Sequence, residues 1–372
     1  MTCKTETVRY SCAMLLTLSD FEIAAAKQLS PDALAYLEGG AEAEHSVAEN
    51  RAAFARIGLL PKLLTPCAGG HTRTRILGGA AAHPIIVAPM AFQLLFHPDG
   101  ETATAMAAAA QDATMVLSCQ TSTPPEDIAT IPGRRWFQLY MQGNHDTTMI
   151  LVDRAVNCGA EALVVTLDAP INGLRDREVA AGFALPAEVR PVMLDVLPQP
   201  PRPQLQEGQS VVFDGMMVFA PTWADLLRLI KDSPVPVIVK GCLRPADATR
   251  LVEAGAQGII ISNHGGRVLD TLPAPITRLA GVAKAVASAV PVYLDGGVRR
   301  GSDVFKALAL GAEAVLVGRP VMHGLTVNGA RGASQVLRRL RDELEVTMAL
   351  CGCATVADIT PDAVTEFSGT CS

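Results

Sequence analysis

The stretch PVYLDGGVRRGSDVFKALALGAEAVLVGRP, residues 291–320, holds two short apolar runs separated by one helical pattern. Neither run alternates with polar residues, as a strand buried on both faces requires, so the pair reads as parallel strands joined through a helix. The intervening SDVFKALALGA opens on Ser302 and Asp303, which suit a helix start, and closes on Gly311, which suits a helix end. Runs of the same kind lie upstream: PIIVAPM (84–90), TMVLSC (114–119), RWFQLYM (135–141), ALVVTLD (162–168), PVIVKG (236–241) and GIIISNH (258–264). Helical patterns such as DGETATAMAAAAQDA (99–113) and RPADATRLVEAGA (244–256) stand between them. Eight strand–helix units in one chain predict an α/β fold, a (β/α)8 TIM barrel. A doubly wound open sheet would carry GxGxxG after its first strand, and APMAFQLLFHPDG (88–100) has none.

Outside the repeats, residues 1–83 read as an N-terminal helical extension packed on the barrel, with SPDALAYLEGGAEAEHSVAENRAAFARI (30–57) as helix, glycine break, helix. The barrel is predicted over 84–358 and a C-terminal tail over 359–372. Residues 185–221 are proline-rich and too long for an ordinary strand-to-helix connection, which predicts a mobile lid loop after the fourth strand. Of the 372 residues, 49% are hydrophobic and 18% charged, with net charge −6, so no basic field advertises nucleic acid or an acidic membrane. Nine scattered cysteines suit reduced thiols and a cytoplasmic protein, and the CxC at Cys351 and Cys353 lacks the second pair a zinc site needs; no metal is predicted. The opening MTCKTETVRYSCAMLLTLSD has no convincing cleavage site, and no run is long enough to span a bilayer.

Barrel enzymes keep their chemistry at the C-terminal strand ends. Those ends supply Ser118, Gln138, Tyr140, Thr166, Asp168, Lys240, Ser262, His264, Asp295, Gly318 and Arg319. A serine or threonine there can serve merely as a helix cap. Asp168, Lys240 and His264 are different, because buried charges must pair with one another or face a ligand. On the last two strands, glycines followed by Arg299 and Arg319 suit a phosphate held by backbone N–H groups, a helix N-terminus and guanidinium forks.

Taken in order, AENRAAF (48–54), FQLY (137–140), VKG (239–241), SNHGGR (262–267), LDGGVRRGSDVFKALALGA (294–312) and VGRPV (317–321) closely resemble the FMN-dependent α-hydroxy acid oxidase and dehydrogenase family, which includes glycolate oxidase, lactate oxidase, mandelate dehydrogenase and hydroxymandelate oxidase. The resemblance spans roughly residues 18–358 and implies a (β/α)8 barrel that binds FMN and oxidises a small-molecule (S)-2-hydroxy acid, with a homotetramer as the common assembly. It implies that His264 takes the substrate proton, that Asp168 stabilises the imidazolium, and that Arg175 and Arg267 hold the substrate carboxylate with help from Tyr36. Tyr140 then contacts the substrate hydroxyl side and Lys240 faces the flavin. Ser118, Gln138, Thr166, Ser262 and the backbone of Met90 and Ala91 match ring-contacting positions. Asp295, Gly297, Arg299, Gly318 and Arg319 match the ribityl-phosphate site.

The residue types suit that chemistry. A histidine is neutral near neutral pH and a nearby carboxylate supports its charged form; a guanidinium grips a carboxylate with two bonds. Gln120 departs from the aromatic residue of many relatives (tryptophan in glycolate oxidase), which predicts a pocket unlike that for glycolate. Met90 departs from the smaller residue common there. Ala91 leans towards O2 as electron acceptor, with hydrogen peroxide as product. The alternatives are a dehydrogenase passing electrons to a quinone or carrier protein, and a flavin-free lyase using Lys240 as a Schiff base.

Overall fold

All eight apolar runs are strands of one closed parallel barrel in the computed structural model: β1 (Ile85–Val87), β2 (Met115–Ser118), β3 (Arg135–Leu139), β4 (Leu163–Thr166), β5 (Val237–Cys242), β6 (Gly258–Ile261), β7 (Val292–Leu294) and β8 (Ala314–Val317). Leu316 of β8 pairs with Ile86 of β1 and closes the ring. The structure describes residues 17–198 and 205–366. The N-terminal segment weighed as a leader, Cys3, Cys12 and Cys371, and parts of the predicted loop and tail lie outside them.

Strand alternation explains both the core and the site. Ile86, Val116, Trp136, Val164, Ile238, Ile260, Tyr293 and Leu316 pack together inside the barrel. Their chain neighbours, such as Ile85, Phe137, Leu163, Val239 and Ile259, pack outwards under the helices. Successive residues of a strand face opposite ways, so positions two steps further along return to the barrel axis. Those positions are Ser118, Gln138, Thr166, Lys240, Ser262, Asp295 and Gly318. The same pleat that buries the aliphatic layer therefore lifts a polar layer to the C-terminal mouth.

Residues before the barrel are not helical throughout. Helices Leu18–Gln28, Pro31–Glu38 and His45–Ala55 are followed by an antiparallel hairpin, Thr74–Ile76 with Gly79–Ala81. Its turn, Leu77 and Gly78, has positive φ at both residues (50° and 74°), the conformation that matches strand twist in a two-residue loop. The hairpin closes the N-terminal end, where Ile76 joins the inner cluster and Leu77 N donates to the Tyr293 hydroxyl at 3.1 Å. In the predicted tail, Val364–Glu366 pairs with Ile57–Leu59. The described part of 185–221 contains only single-turn helices, Leu194–Val196, Val211–Gly215 and Met216–Phe219. The long helix Arg319–Cys351 begins at the barrel mouth and is kinked at Asn328 and Gly329. No described helix is long and apolar enough to cross a membrane.

Candidate active site

A cavity of about 720 Å³ opens at the C-terminal mouth, within the size range of small-molecule and cofactor sites. Every site residue named from the sequence lines it except Asp168 and Ser262, which sit behind the lining side chains. Gln138 ties the floor together: its Oε1 accepts from Ser118 Oγ at 3.1 Å and its Nε2 donates to Thr166 Oγ1 at 3.1 Å. Lys240 Nζ donates to Ser262 Oγ at 2.8 Å and lies 3.1 Å from Asp295 Oδ2 and 3.9 Å from Asp168 Oδ2. Burial alone would lower the Lys240 pKa, but Asp295 and Asp168 overcome it and hold the ammonium above its ordinary value. Lys240 is therefore a fixed buried cation.

His264 follows β6 in a left-handed conformation, φ 56°, uncommon for a side-chain-bearing residue. The surrounding bonds hold it there. Ser262 Oγ accepts from its backbone N–H at 2.9 Å, and Asn263 Oδ1 accepts from Gly266 N at 3.2 Å. The buried Asn263 exchanges two amide hydrogen bonds with buried Asn50, at 2.9 and 2.8 Å, anchoring this loop to the His45–Ala55 helix. Asn50→Ala should remove one partner from each end of the buried Asn263 amide, leaving Gly266 N and the Pro273 carbonyl at 3.2 and 3.3 Å, and cost about 1–2 kcal/mol of stability, measurable as a lower urea midpoint. An unchanged midpoint would remove the anchor from the account.

His264 Nδ1 lies 2.9 Å from Asp168 Oδ1, and its Nε2 lies 3.5 Å from the Tyr140 hydroxyl. A carboxylate on Nδ1 leaves Nε2 as the free acceptor on the cavity side. Burial pushes the imidazole below its ordinary pKa, with Asp168 opposing. Burial would raise Asp168, but Lys240 and His264 outweigh it and keep the carboxyl ionised. Burial pushes the Tyr140 phenol well up, so it stays a neutral donor. Together they form a neutral acceptor backed by a carboxylate and flanked by an O–H group.

Across the cavity, Arg267 Nη1 donates to the carbonyls of Tyr36 (2.6 Å) and Gly39 (2.7 Å), while Nη2 reaches Glu178 Oε1 at 3.0 Å. Arg175 Nη1 approaches the same carboxylate at 3.3 and 3.4 Å. The Arg267 guanidinium lies 5.0 Å from the Tyr36 ring centroid. Tyr36 itself stacks on Phe183 with centroids 4.7 Å apart. Two fixed guanidiniums thus face the cavity with unused N–H groups.

At the β7–β8 end stand two further cations. The Arg299 Nε is sealed from solvent without a hydrogen-bond partner, as is Asp295 Oδ1. Desolvation in the cavity wall, with Arg51 repelling, lowers Arg299 to about 10; desolvation, with Arg267 repelling, lowers Arg319 to about 9. Both guanidiniums line the cavity. Gly297 has φ 90°, and a Cβ there would meet the Asn50 carbonyl oxygen at 2.0 Å, so only glycine brings this backbone to the mouth. Gly318 immediately precedes the long helix, whose N-terminus favours an anion. An orphaned donor on Arg299, mutual repulsion of the guanidiniums, a glycine turn and a helix start all fit a phosphate group.

The family model described as FMN-dependent dehydrogenase matches residues 25–366. The chain belongs to that family. It is 84% identical over 357 residues to an L-lactate oxidase of Roseobacter sp. (strain GAI101), covering 96% of each chain. It is 43% identical over 348 residues to a peroxisomal (S)-2-hydroxy-acid oxidase of Oryza sativa subsp. japonica, covering 93% of this chain and 94% of the relative. A crystal structure of mandelate oxidase with benzoyl-formic acid superposes with TM-score 0.86 at 39% identity, covering 95% of this chain and 99% of that one. The family's cofactor is FMN, and the cavity's phosphate-fitting end and fixed Lys240 cation suit it.

Several residues at the site were not anticipated. Glu178 bridges both arginines, and the i,i+3 spacing of Arg175 and Glu178 in LRDRE was a usable signal. Phe92 and Phe183, which flank Tyr36, carry no pattern distinguishing them from core aromatics. Leu185, Leu194, Phe219 and Pro221 bring the long loop to the cavity and form an apolar rim. Gln120 lines the cavity, so its departure bears on the pocket itself.

Proposed function

We propose that the protein oxidises L-lactate and related small (S)-2-hydroxy monocarboxylates to their 2-oxo acids, with O2 as acceptor. The reading is carried by one observation: a neutral imidazole backed by a carboxylate shares a cavity with two guanidiniums. The 84% identity to an L-lactate oxidase supports lactate within that class. FMN, when bound, supplies the two-electron acceptor that O2 reoxidises, giving hydrogen peroxide.

The chain's own residues do the rest. Arg175 and Arg267 bind the substrate carboxylate and fix the α-carbon, which removes much of the orientational entropy from the barrier. His264 Nε2 accepts the proton that the substrate gives up, and Asp168 stabilises the resulting imidazolium. Tyr140 steadies the substrate oxygen. The isoalloxazine would rest among Ser118, Gln138, Thr166, Ser262 and the backbone of Met90 and Ala91, with Lys240 offsetting negative charge gathering there. Asp295, Gly297, Arg299, Gly318 and Arg319 would hold the ribityl phosphate. Leu185, Leu194 and Phe219, from the long loop, would cover the substrate and exclude water.

A Schiff-base lyase is not favoured, because that chemistry needs a lysine of depressed pKa and Lys240 is held in the opposite sense. The reading extends to a cytoplasmic homotetramer, supported by the unpaired described cysteines and by the family's habit. The test is anaerobic mixing of the FMN-loaded protein with glycolate, lactate, 2-hydroxyoctanoate and mandelate. Lactate should bleach the flavin fastest and air should restore the colour with peroxide formed. Bleaching by none of the four would end the proposal; restoration only by a quinone would turn it to a dehydrogenase.

A further inference from the structure

The proposed reaction leaves one cavity carboxylate without a task. Of the two carboxylates among the described residues that line the cavity, Asp295 belongs to Lys240 at 3.1 Å. The other, Glu178, stands on the short helix Asp176–Ala180 and touches both guanidiniums of the carboxylate clamp. Its side chain is largely buried, retaining 13% of its accessible surface. Two guanidiniums and one carboxylate leave a single net positive charge. A bound monocarboxylate brings that sum to zero; a dicarboxylate leaves an uncompensated anion in a poorly solvated site.

We infer that Glu178 restricts the clamp to monocarboxylates, acting as a specificity-determining positioning residue through Arg175 and Arg267; this rests on the 2-hydroxy acid reading of the same site. Among the described residues, no other cation at the mouth is available to a second carboxylate. Lys240 is committed to Asp295 and Ser262, and Arg299 and Arg319 stand at the phosphate-fitting end. Glu178 also decides which donors remain. Arg267 Nη1 is spent on two backbone carbonyls, and Glu178 takes an N–H of Nη2, so the substrate meets Nε and the remaining Nη2 hydrogen. At an effective dielectric near 20, a like charge anywhere within about 10 Å disfavours a second carboxylate by about tenfold or more.

The experiment compares FMN-loaded wild type, Glu178→Gln and Glu178→Asp. Two ratios are read: kcat/KM for malate over lactate, and the affinity for malonate over acetate from the flavin absorbance change on binding. Glu178→Gln should raise both ratios about tenfold or more, mainly through KM, while Glu178→Asp, which keeps the charge, stays near wild type. Unchanged ratios in Glu178→Gln, or equal shifts in both variants, would overturn the inference. If Glu178→Gln does not accumulate, Glu178→Ala makes the same charge change and is judged on the same ratios. A wild type that no hydroxy acid bleaches would sink the oxidase reading instead, and the malonate–acetate comparison would still judge Glu178.

Discussion

His264→Ala should remain yellow and lose flavin bleaching by lactate, with the anaerobic reduction rate falling about 10²–10⁴-fold, the range expected for removing a well-placed general base. Retention of FMN follows from position. The His264 ring touches Asp168 and Tyr140, whereas the phosphate-fitting groups are on the loop after β7 and at the helix start after β8. Reduction at the wild-type rate would remove His264 from the chemistry. The acid side of the pH profile carries the same assignment. The imidazole acts as base only when neutral, and burial holds its pKa below the ordinary value. Activity should therefore persist through the ordinary histidine range and fall only below it. Stability shares the sign: a histidine buried neutral favours the fold above its unfolded pKa, and the contribution is lost as pH falls. A rate that falls as pH drops through 7 would contradict the buried, neutral acceptor.

The barrel was legible because parallel strands buried on both faces leave unbroken apolar runs, and all eight runs are strands. Its polar mouth was legible for a related reason. A charge such as Lys240, two steps beyond inward-facing Ile238, has no apolar explanation. The hairpin at Thr74–Ala81 escaped because three-residue strands carry too few positions for a period to register. The pairing of Ile57–Leu59 with Val364–Glu366 joins opposite ends of the chain, which no local pattern reports. Asn50, within AENRAAF, gives no local sign of its role, since its value lies in meeting Asn263 across 213 positions. Glu178 was hidden differently: a carboxylate beside arginines on a short helix reads as a solvated surface pair, and only the fold turns it inwards.

Arg299→Met and Arg319→Met separate binding of the cofactor phosphate from support of the fold. Both guanidiniums have lowered pKa values in the protein without FMN, about 10 and about 9. A cation whose pKa falls on folding destabilises the fold throughout the neutral range, and relief comes only in the alkaline window between that value and the ordinary guanidinium value. Arg299 has little to set against this cost, because its Nε has no partner and its Nη1 reaches only the neighbouring Val298 carbonyl at 3.0 Å. Arg319 differs, donating to the carbonyls of Leu37 (2.9 Å), Gly265 (3.0 Å) and Gly39 (3.0 Å) and so tying the N-terminal helices to the mouth. Arg299→Met should leave FMN-free protein as stable as wild type or more so. It should also weaken FMN binding by about ten- to a hundredfold, as losing charge-assisted phosphate bonds of about 1.5–3 kcal/mol requires. Arg319→Met should lose FMN affinity and FMN-free stability together. Fluorescence titration with FMN and urea unfolding of stripped protein measure the two quantities. Wild-type FMN affinity in Arg299→Met would move the phosphate elsewhere, and equal destabilisation of the two stripped variants would show that Arg299 supports the fold rather than waiting for an anion.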